Sequence, residues 1–202
     1  MDVQLNLINE TTDFYNGQVV FFQKNEAAAN TEMPVAWTVV VVEYAQYPWM
    51  YAFVFPANMY VGASDSWGNY TPILPASDGE LFSMQQTSSG DMLVYEGAAS
   101  SSTQVQVQNN LPTGNIEAGI YKSGKLLVLQ SAVLPGQNAV FELKPVLCVS
   151  VASKVEQGQV MNASSLTGTT TELPLLGVQS ADIIMTGTSG KYSFDMVNVV
   201  MA

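Results

Sequence analysis

From residue 3 to residue 9 the chain reads "VQLNLIN", a polar-apolar alternation, and one hundred residues later it reads "TQVQVQN" from 103 to 109. Side chains of an extended strand point to opposite faces in turn, so a period of two builds a strand with one buried and one solvated face. A helix cannot use this pattern. The recurrence constrains the fold further, because internal repetition at a fixed spacing marks a structural unit used more than once.

Other pairs extend the repeat. "NGQVVFFQKN" (16–25) and "IEAGIYKSGK" (116–125) keep the same spacing, each an apolar run between polar turn residues. "TSSGDMLVYE" (87–96) and "GTSGKYSFDM" (187–196) keep it too, each with a Ser-Gly turn between strand-like runs. "FPANMYVGAS" (55–64) and "KPVLCVSVAS" (144–153) stand closer together. The first copy therefore carries an insertion between Lys24 and Pro56, which the second recovers after Ser153; loop length drifts at little entropic cost.

Strand signals recur along the whole chain, at 3–9, 18–24, 35–43, 50–55, 58–64, 80–86, 92–96, 103–109, 116–122, 125–133, 138–143, 146–153, 181–186 and 191–200. Gly, Pro, Asn and Ser turns separate them at the spacing of sandwiches and barrels. "GQVVFF", "WTVVVV" and "PVLCVSV" are near-continuous apolar runs, expected to be covered on both faces. The expected fold is all-β, with two tandem, pseudo-symmetric antiparallel β-sandwich-like halves packed together: an aromatic-rich, acidic first repeat at 1–97 and a second at 103–202. The short uncharged stretch "AASSST" (98–103) is the joint.

Composition narrows the chemistry. The chain has 202 residues, 48% of them hydrophobic and only 11% charged, enough apolar content for a sizeable core and unlike a disordered segment. Six cationic residues, all Lys, face seventeen carboxylates for a net charge of −11. Nucleic-acid binders cluster Lys and Arg to neutralise phosphates, so nucleic acid is not an expected partner. With no His, Ser-His-Asp catalysis is excluded, and the commonest general base and transition-metal ligand is missing. The single Cys148 forms no intrachain disulfide, and its apolar run "PVLCVSVAS" predicts a buried, inert thiol.

No GxSxG elbow, phosphate-binding loop or GxGxxG fingerprint is present. "DSWGN" (65–69) and "TDFYNG" (12–17) bring oxygen ligands near Gly but do not match the calcium loop with its closing Glu. The pair Asp78 and Glu80 in "ASDGEL" is ordinary turn chemistry. The expectation is a protein that is not an enzyme, with no metal and no cofactor. "MDVQLNLINETTDF" lacks a basic segment followed by an apolar one, so a cytoplasmic location or release by a non-classical route is expected. The most apolar region, "PVAWTVVVVEYAQYPWMYAFVFPANMYV", is broken by Glu43, Gln46, Pro48 and Pro56 and reads as buried strands, with no transmembrane helix.

Function is expected where the two copies differ. Sixteen of the twenty aromatic residues fall in residues 1–100, which also hold eleven carboxylates against one Lys. Phe21, Phe22, Trp37, Phe53 and Phe55 sit within strand-like runs and read as core. Tyr44, Tyr47 and Trp49 in "EYAQYPWMY", and Trp67 and Tyr70 in "SDSWGNYTP", fall near turns. With Asp65 and Asn69 they form the candidate binding set, able to stack on a glycan, lectin-like, or to anchor a partner protein. An equal alternative is that the rings plug the open ends of a sandwich. Two further functions fit the pattern: a membrane-acting, toxin-like protein whose segments "SSSTQVQVQ" and "NASSLTGTTTE" form an amphipathic hairpin, and a structural subunit that self-assembles, its acidic and Lys-bearing halves meeting head to tail.

Overall fold

The computed structural model describes residues 1–28, 33–42, 49–162 and 164–202. Sixteen strands follow one another: β1 Val3–Asn9, β2 Gly17–Phe22, β3 Thr38–Val42, β4 Trp49–Phe55, β5 Met59–Ser64, β6 Leu74–Ala76, β7 Glu80–Thr87, β8 Gly90–Ala98, β9 Val105–Asn109, β10 Ile116–Lys122, β11 Lys125–Val133, β12 Asn138–Phe141, β13 Val146–Ala152, β14 Thr171–Pro174, β15 Val178–Thr188 and β16 Lys191–Met201. A single 3-10 turn at Glu26–Ala28 is the one helical element among the described residues. The strands form four sheets of four, ordered β16-β15-β1-β4, β14-β13-β2-β3, β12-β9-β7-β8 and β11-β10-β5-β6. The protein is all-β.

All fourteen expected strands are present. The two unforeseen ones, β6 and β14, are short edge strands that each contain a proline, Pro75 and Pro174. Proline cannot donate to a ladder, so it hides a strand from pattern reading while an edge position tolerates it. "GQVVFF" and "PVLCVSV" are covered on both faces. "WTVVVV" is not: β3 is the edge of its sheet, and Val41 is exposed.

The chain divides into two compact units, and the division does not follow the 1–97 and 103–202 boundaries. One unit holds Met1–Gln23, Pro34–Ala57 and Pro145–Ala202; the other holds Lys24–Met33 and Asn58–Lys144. The main part of the second unit, Asn58–Lys144, is thus inserted in the chain between β4 and β13 of the first, and Lys24–Met33 between β2 and β3 joins it. Taken from β13 through β16 and on to β1 through β4, the first unit repeats the topology of β5 through β12: β16-β15-β1-β4 corresponds to β8-β7-β9-β12, and β14-β13-β2-β3 to β6-β5-β10-β11. Among the described residues each unit contains one parallel pair, β1 with β15 and β7 with β9, at corresponding positions.

Residue register follows the same correspondence, with small slips. The bridge Ser64–Tyr70 matches Ala152–Leu166, the pair Ser64–Glu117 matches Ala152–Gln18, and the hairpin Thr87–Gly90 matches Thr188–Lys191. Apart from Tyr70 and Leu166, each of these matched residues lies one position away from the ungapped sequence alignment. In a strand that step turns a side chain to the opposite face, so the alignment found the right elements and mispaired their residues. Irregular registers in β7–β8 and β15–β16 show how such slips are absorbed.

Within the first unit the core lies between its two sheets. Phe21 on β2 meets Phe53 on β4 with ring centroids 4.6 Å apart, and Trp37 stands edge-on to Phe55 at 5.2 Å. Leu5 and Leu7 on β1 and Ile183 and Met185 on β15 are fully buried beside them. Outside the β13–β2 pair a second cluster of Val20, Phe22, Ala36, Cys148, Val155 and Met161 is covered by the segment after β13, which buries the lone thiol as expected. In the second unit Phe82, Met84, Val105, Val107, Ile120 and Phe141 are buried. Each fully buried Phe or Leu contributes roughly 1.5–3 kcal/mol, so each unit has its own driving force for folding.

Candidate functional site

The loop between β5 and β6 is built on Asp65. Its Oδ1 accepts the backbone N–H groups of Trp67 (2.8 Å) and Asn69 (2.9 Å), and its Oδ2 accepts the Asn69 side-chain amide at 2.8 Å. Gly68 closes the turn at φ +82°, a conformation that a side chain disfavours, and donates to the Asp65 carbonyl at 3.1 Å. The Asn69 amide and then the Asn69 N–H hold the Asp65 carboxyl below the usual carboxylate range. Thr71 finishes the loop: its N–H donates to the Ala63 carbonyl at 2.8 Å, and its hydroxyl accepts the Ala63 N–H at 3.1 Å.

This framework presents rings. Trp67 is 88% exposed and Tyr70 is 74% exposed, with Ile73 also at the surface. Beneath them Gly62 and Gly119 are cross-strand partners. A Cβ on Gly62 would stand 3.0 Å from Ile73 Cγ2 and 3.1 Å from Tyr121 Cε2. Two missing side chains therefore let Tyr121 and Ile73 settle onto the sheet, an aromatic packing over a glycine pair. Burial, then the nearby Tyr70 and Glu117, push the Tyr121 phenol above its ordinary value. Trp67 and Tyr70 thus stand exposed on a loop fixed by its own hydrogen bonds.

The sequence-derived set separates into two groups. Asp65, Trp67, Asn69 and Tyr70 share this loop in the second unit. Trp49 opens β4 in the first unit, where Trp49, Tyr51 and Phe53 stack along one face of the strand at centroid spacings of 6.3 and 6.0 Å. Tyr44 and Tyr47 lie outside the described residues. Both carboxylate oxygens of Asp65, expected beside a ligand, accept bonds within the loop.

The expected charge asymmetry also disappears with the regrouping. By unit, eight carboxylates and two Lys stand against nine carboxylates and four Lys, so the units carry −6 and −5. Lys144 is paired with Glu26 at 2.8 Å, and Lys122 is buried. Head-to-tail steering between an acidic half and a Lys-bearing half loses its basis.

A second feature escaped the sequence. Thr167, Gly168, Thr169, Gly190, Lys191, Tyr192 and Ser193 line an open, polar depression of about 550 Å³ in the first unit. Asp13 anchors its rim, accepting the Ser189 N–H at 2.6 Å, the Thr188 hydroxyl at 2.7 Å and the Tyr192 hydroxyl at 3.3 Å. The Ser189 N–H and then the Thr188 hydroxyl hold the Asp13 carboxyl below its ordinary value. The stretch "TGTTTE" reads only as part of a candidate hairpin segment, and no motif links it to Asp13. Among the described residues no group of three His, Cys, Asp or Glu could hold a metal ion, and no helix is long and apolar enough to cross a membrane.

The chain matches no family model, no curated protein and no solved structure.

Proposed function

We propose that this chain is a non-catalytic binding protein that engages a partner protein through the β5–β6 loop, with Trp67 and Tyr70 as its anchors. The observation that supports this reading is the exposure of Trp67 on a backbone already fixed by Asp65. A rigid loop orders few groups on association, and Trp and Tyr are the side chains most enriched among binding hot spots. The lack, among the described residues, of free convergent polar groups beside the rings favours a protein over a glycan. A sugar needs convergent donors and acceptors beside the stacking ring, and the nearest strong acceptor, Asp65, is engaged by its own loop.

Parallel protein and glycan arrays, probed with the wild-type chain and with W67A and Y70A, test the proposal. The expected result is a protein signal that W67A weakens by roughly 2 kcal/mol or more with an unchanged melting temperature. Array signals that both variants retain overturn it, and a glycan signal that depends on Trp67 moves the site to carbohydrate recognition.

A further inference from the structure

Topologically equivalent edge strands are finished differently in the two units. At the edge strand β12, Gln130 Oε1 accepts the Val140 N–H at 2.8 Å, and Asn25 Nδ2 donates to the Val140 carbonyl at 2.8 Å. Asn25 Oδ1 accepts the Glu142 N–H at 3.0 Å, and the Glu26 N–H donates to the Glu142 carbonyl at 2.9 Å. The outward backbone groups of Val140 and Glu142 are satisfied. β4 holds the same place in its own sheet, pairing Ala52 with Asn6 as β12 pairs Val140 with Gln106. Alternation then directs the N–H and C=O of Met50, Ala52 and Val54 away from β1. Among the described residues, nothing caps these groups as Asn25, Glu26 and Gln130 cap β12.

Side chains leave the same edge open. Met50 is 61% exposed and Val54 49% exposed on one face, with Tyr51 at the surface on the other. Native edges are blunted by charge, brevity or proline. Here β16 has Lys191 and Asp195, β8 has Asp91 and Glu96, β14 has Glu172 and β11 has Lys125, while β3 and β6 are short. β4 runs seven residues, "WMYAFVF", without charge or proline. Its order is symmetric about Ala52: aromatic at 49, 51, 53 and 55, aliphatic at 50 and 54.

We propose that β4 pairs antiparallel with β4 of a second copy about a two-fold axis through Ala52. Met50 then lies opposite Val54 of the second copy, Tyr51 opposite Phe53, Trp49 opposite Phe55, and Ala52 opposite itself with no side chain crowding the axis. Every cross-strand pair is apolar, and two chains of net −11 meet along a segment where neither carries charge. Met50, Ala52 and Val54 of each copy exchange backbone hydrogen bonds, and the isologous contact closes at two copies instead of growing into a filament. The pattern fits a second copy better than a foreign strand, which has no reason to share the symmetry.

Sedimentation velocity over a wide concentration range tests this on the full chain. The expected result is a reversible dimer. A52P, which removes the central outward donor, abolishes it. M50K/V54K sets Lys against Lys twice per dimer and weakens it roughly tenfold or more, while M50K/V54E sets Lys against Glu and retains it. Far-UV circular dichroism and melting curves confirm that each variant folds, so that one unfolded variant leaves the others to decide. A monomer at every concentration overturns the proposal and leaves β4 to a foreign strand. A dimer that survives both A52P and M50K/V54K overturns it as well, and loss of the dimer in M50K/V54E overturns the register.

Discussion

Asn9 and Asn109 hold two bends with the same atoms. The Oδ1 of each accepts the backbone N–H two residues on, Thr11 at 3.1 Å and Leu111 at 3.0 Å, and the Nδ2 of each donates to the carbonyl five residues on, Phe14 at 3.3 Å and Gly114 at 3.0 Å. The next backbone N–H in each case bonds a methionine carbonyl on the parallel neighbour, Glu10 to Met185 and Asn110 to Met84, both at 2.9 Å. Both asparagines are buried, and a buried amide that closes a bend at the end of a strand has no apolar substitute.

Asn109 also donates to the Val133 carbonyl at 2.8 Å, so its loss strands three backbone groups, each costing about 1–3 kcal/mol when buried and unpaired. N109A is therefore expected to lower stability by about 2–4 kcal/mol and N9A by less, measured by urea denaturation. A larger loss in N9A, or losses under 0.5 kcal/mol in both, contradicts the account.

The end of β16 and the start of β1 flank the same end of β15, at Val178–Met201 and Ser180–Gln4. That places them two strands apart, about 10 Å. In the second unit residues 99–104 join the equivalent ends of β8 and β9. A circular permutant that links residue 202 to residue 1 through about five Gly and Ser residues and opens between Ser101 and Ser102 is expected to fold, melting within several degrees of the parent. A permutant without a cooperative transition refutes the adjacency.

Asp65 supplies a pH response. Hydrogen bonds from Asn69 and Trp67 hold its carboxyl below the ordinary value of 3.8. A depressed folded value means that the ordering of the loop is complete above 3.8 and is lost as pH falls through the folded value. Time-resolved anisotropy of Trp67, in a variant with Trp37 and Trp49 replaced by Phe, should be flat from pH 8 to about 5 and fall in acid. D65N should be mobile throughout. Equal behaviour of the two proteins would show that the carboxylate does not order the loop.

Gly187 and Gly90 separate two costs of a side chain. Both have positive φ, +108° and +117°, but a Cβ on Gly187 would lie 2.1 Å from the Lys191 carbonyl oxygen, whereas Gly90 faces open space. G90A is expected to cost about 1 kcal/mol from backbone strain alone, and G187A at least 2 kcal/mol more, read from chemical denaturation. Equal losses would place the two glycines in equivalent surroundings.

Local pattern carried much of this architecture. The alternation in "VQLNLIN" gave β1 its solvated face, since burial reads buried at Val3, Leu5 and Leu7 and open at Gln4. In β9 the same alternation is covered: Gln106 is buried because Ser100 and Gln104 accept its amide. Which copy pairs with which was not legible, because a repeat records similarity and not contact. Asn6 bonds Asp182 at 2.7 Å across 176 residues, and no local signal announces such a partner. The candidate site divided for the same reason: Trp49 and Trp67, close in sequence, belong to different units. Trp67 was legible as a turn aromatic, whereas its exposure depends on Asp65 turning its carboxylate inward.

The insertion of one unit within the other sets an order of events during synthesis. Leu5 leaves the ribosome 176 residues ahead of Ala181, its parallel neighbour on β15, a wait of about 10–35 s at translation speeds of about 5–20 residues per second. Residues 58–144 emerge contiguously in the meantime, so the inserted unit is expected to fold on the nascent chain while β1 through β4 remain half a sandwich. Force-sensing arrest sequences placed along the chain should report a first release soon after residue 144 has cleared the exit tunnel and a second only after β16; a single late release would mean that neither unit folds before the chain is complete. Until then β1 has only β4 beside it in its sheet, and its other edge stays open until β15 emerges.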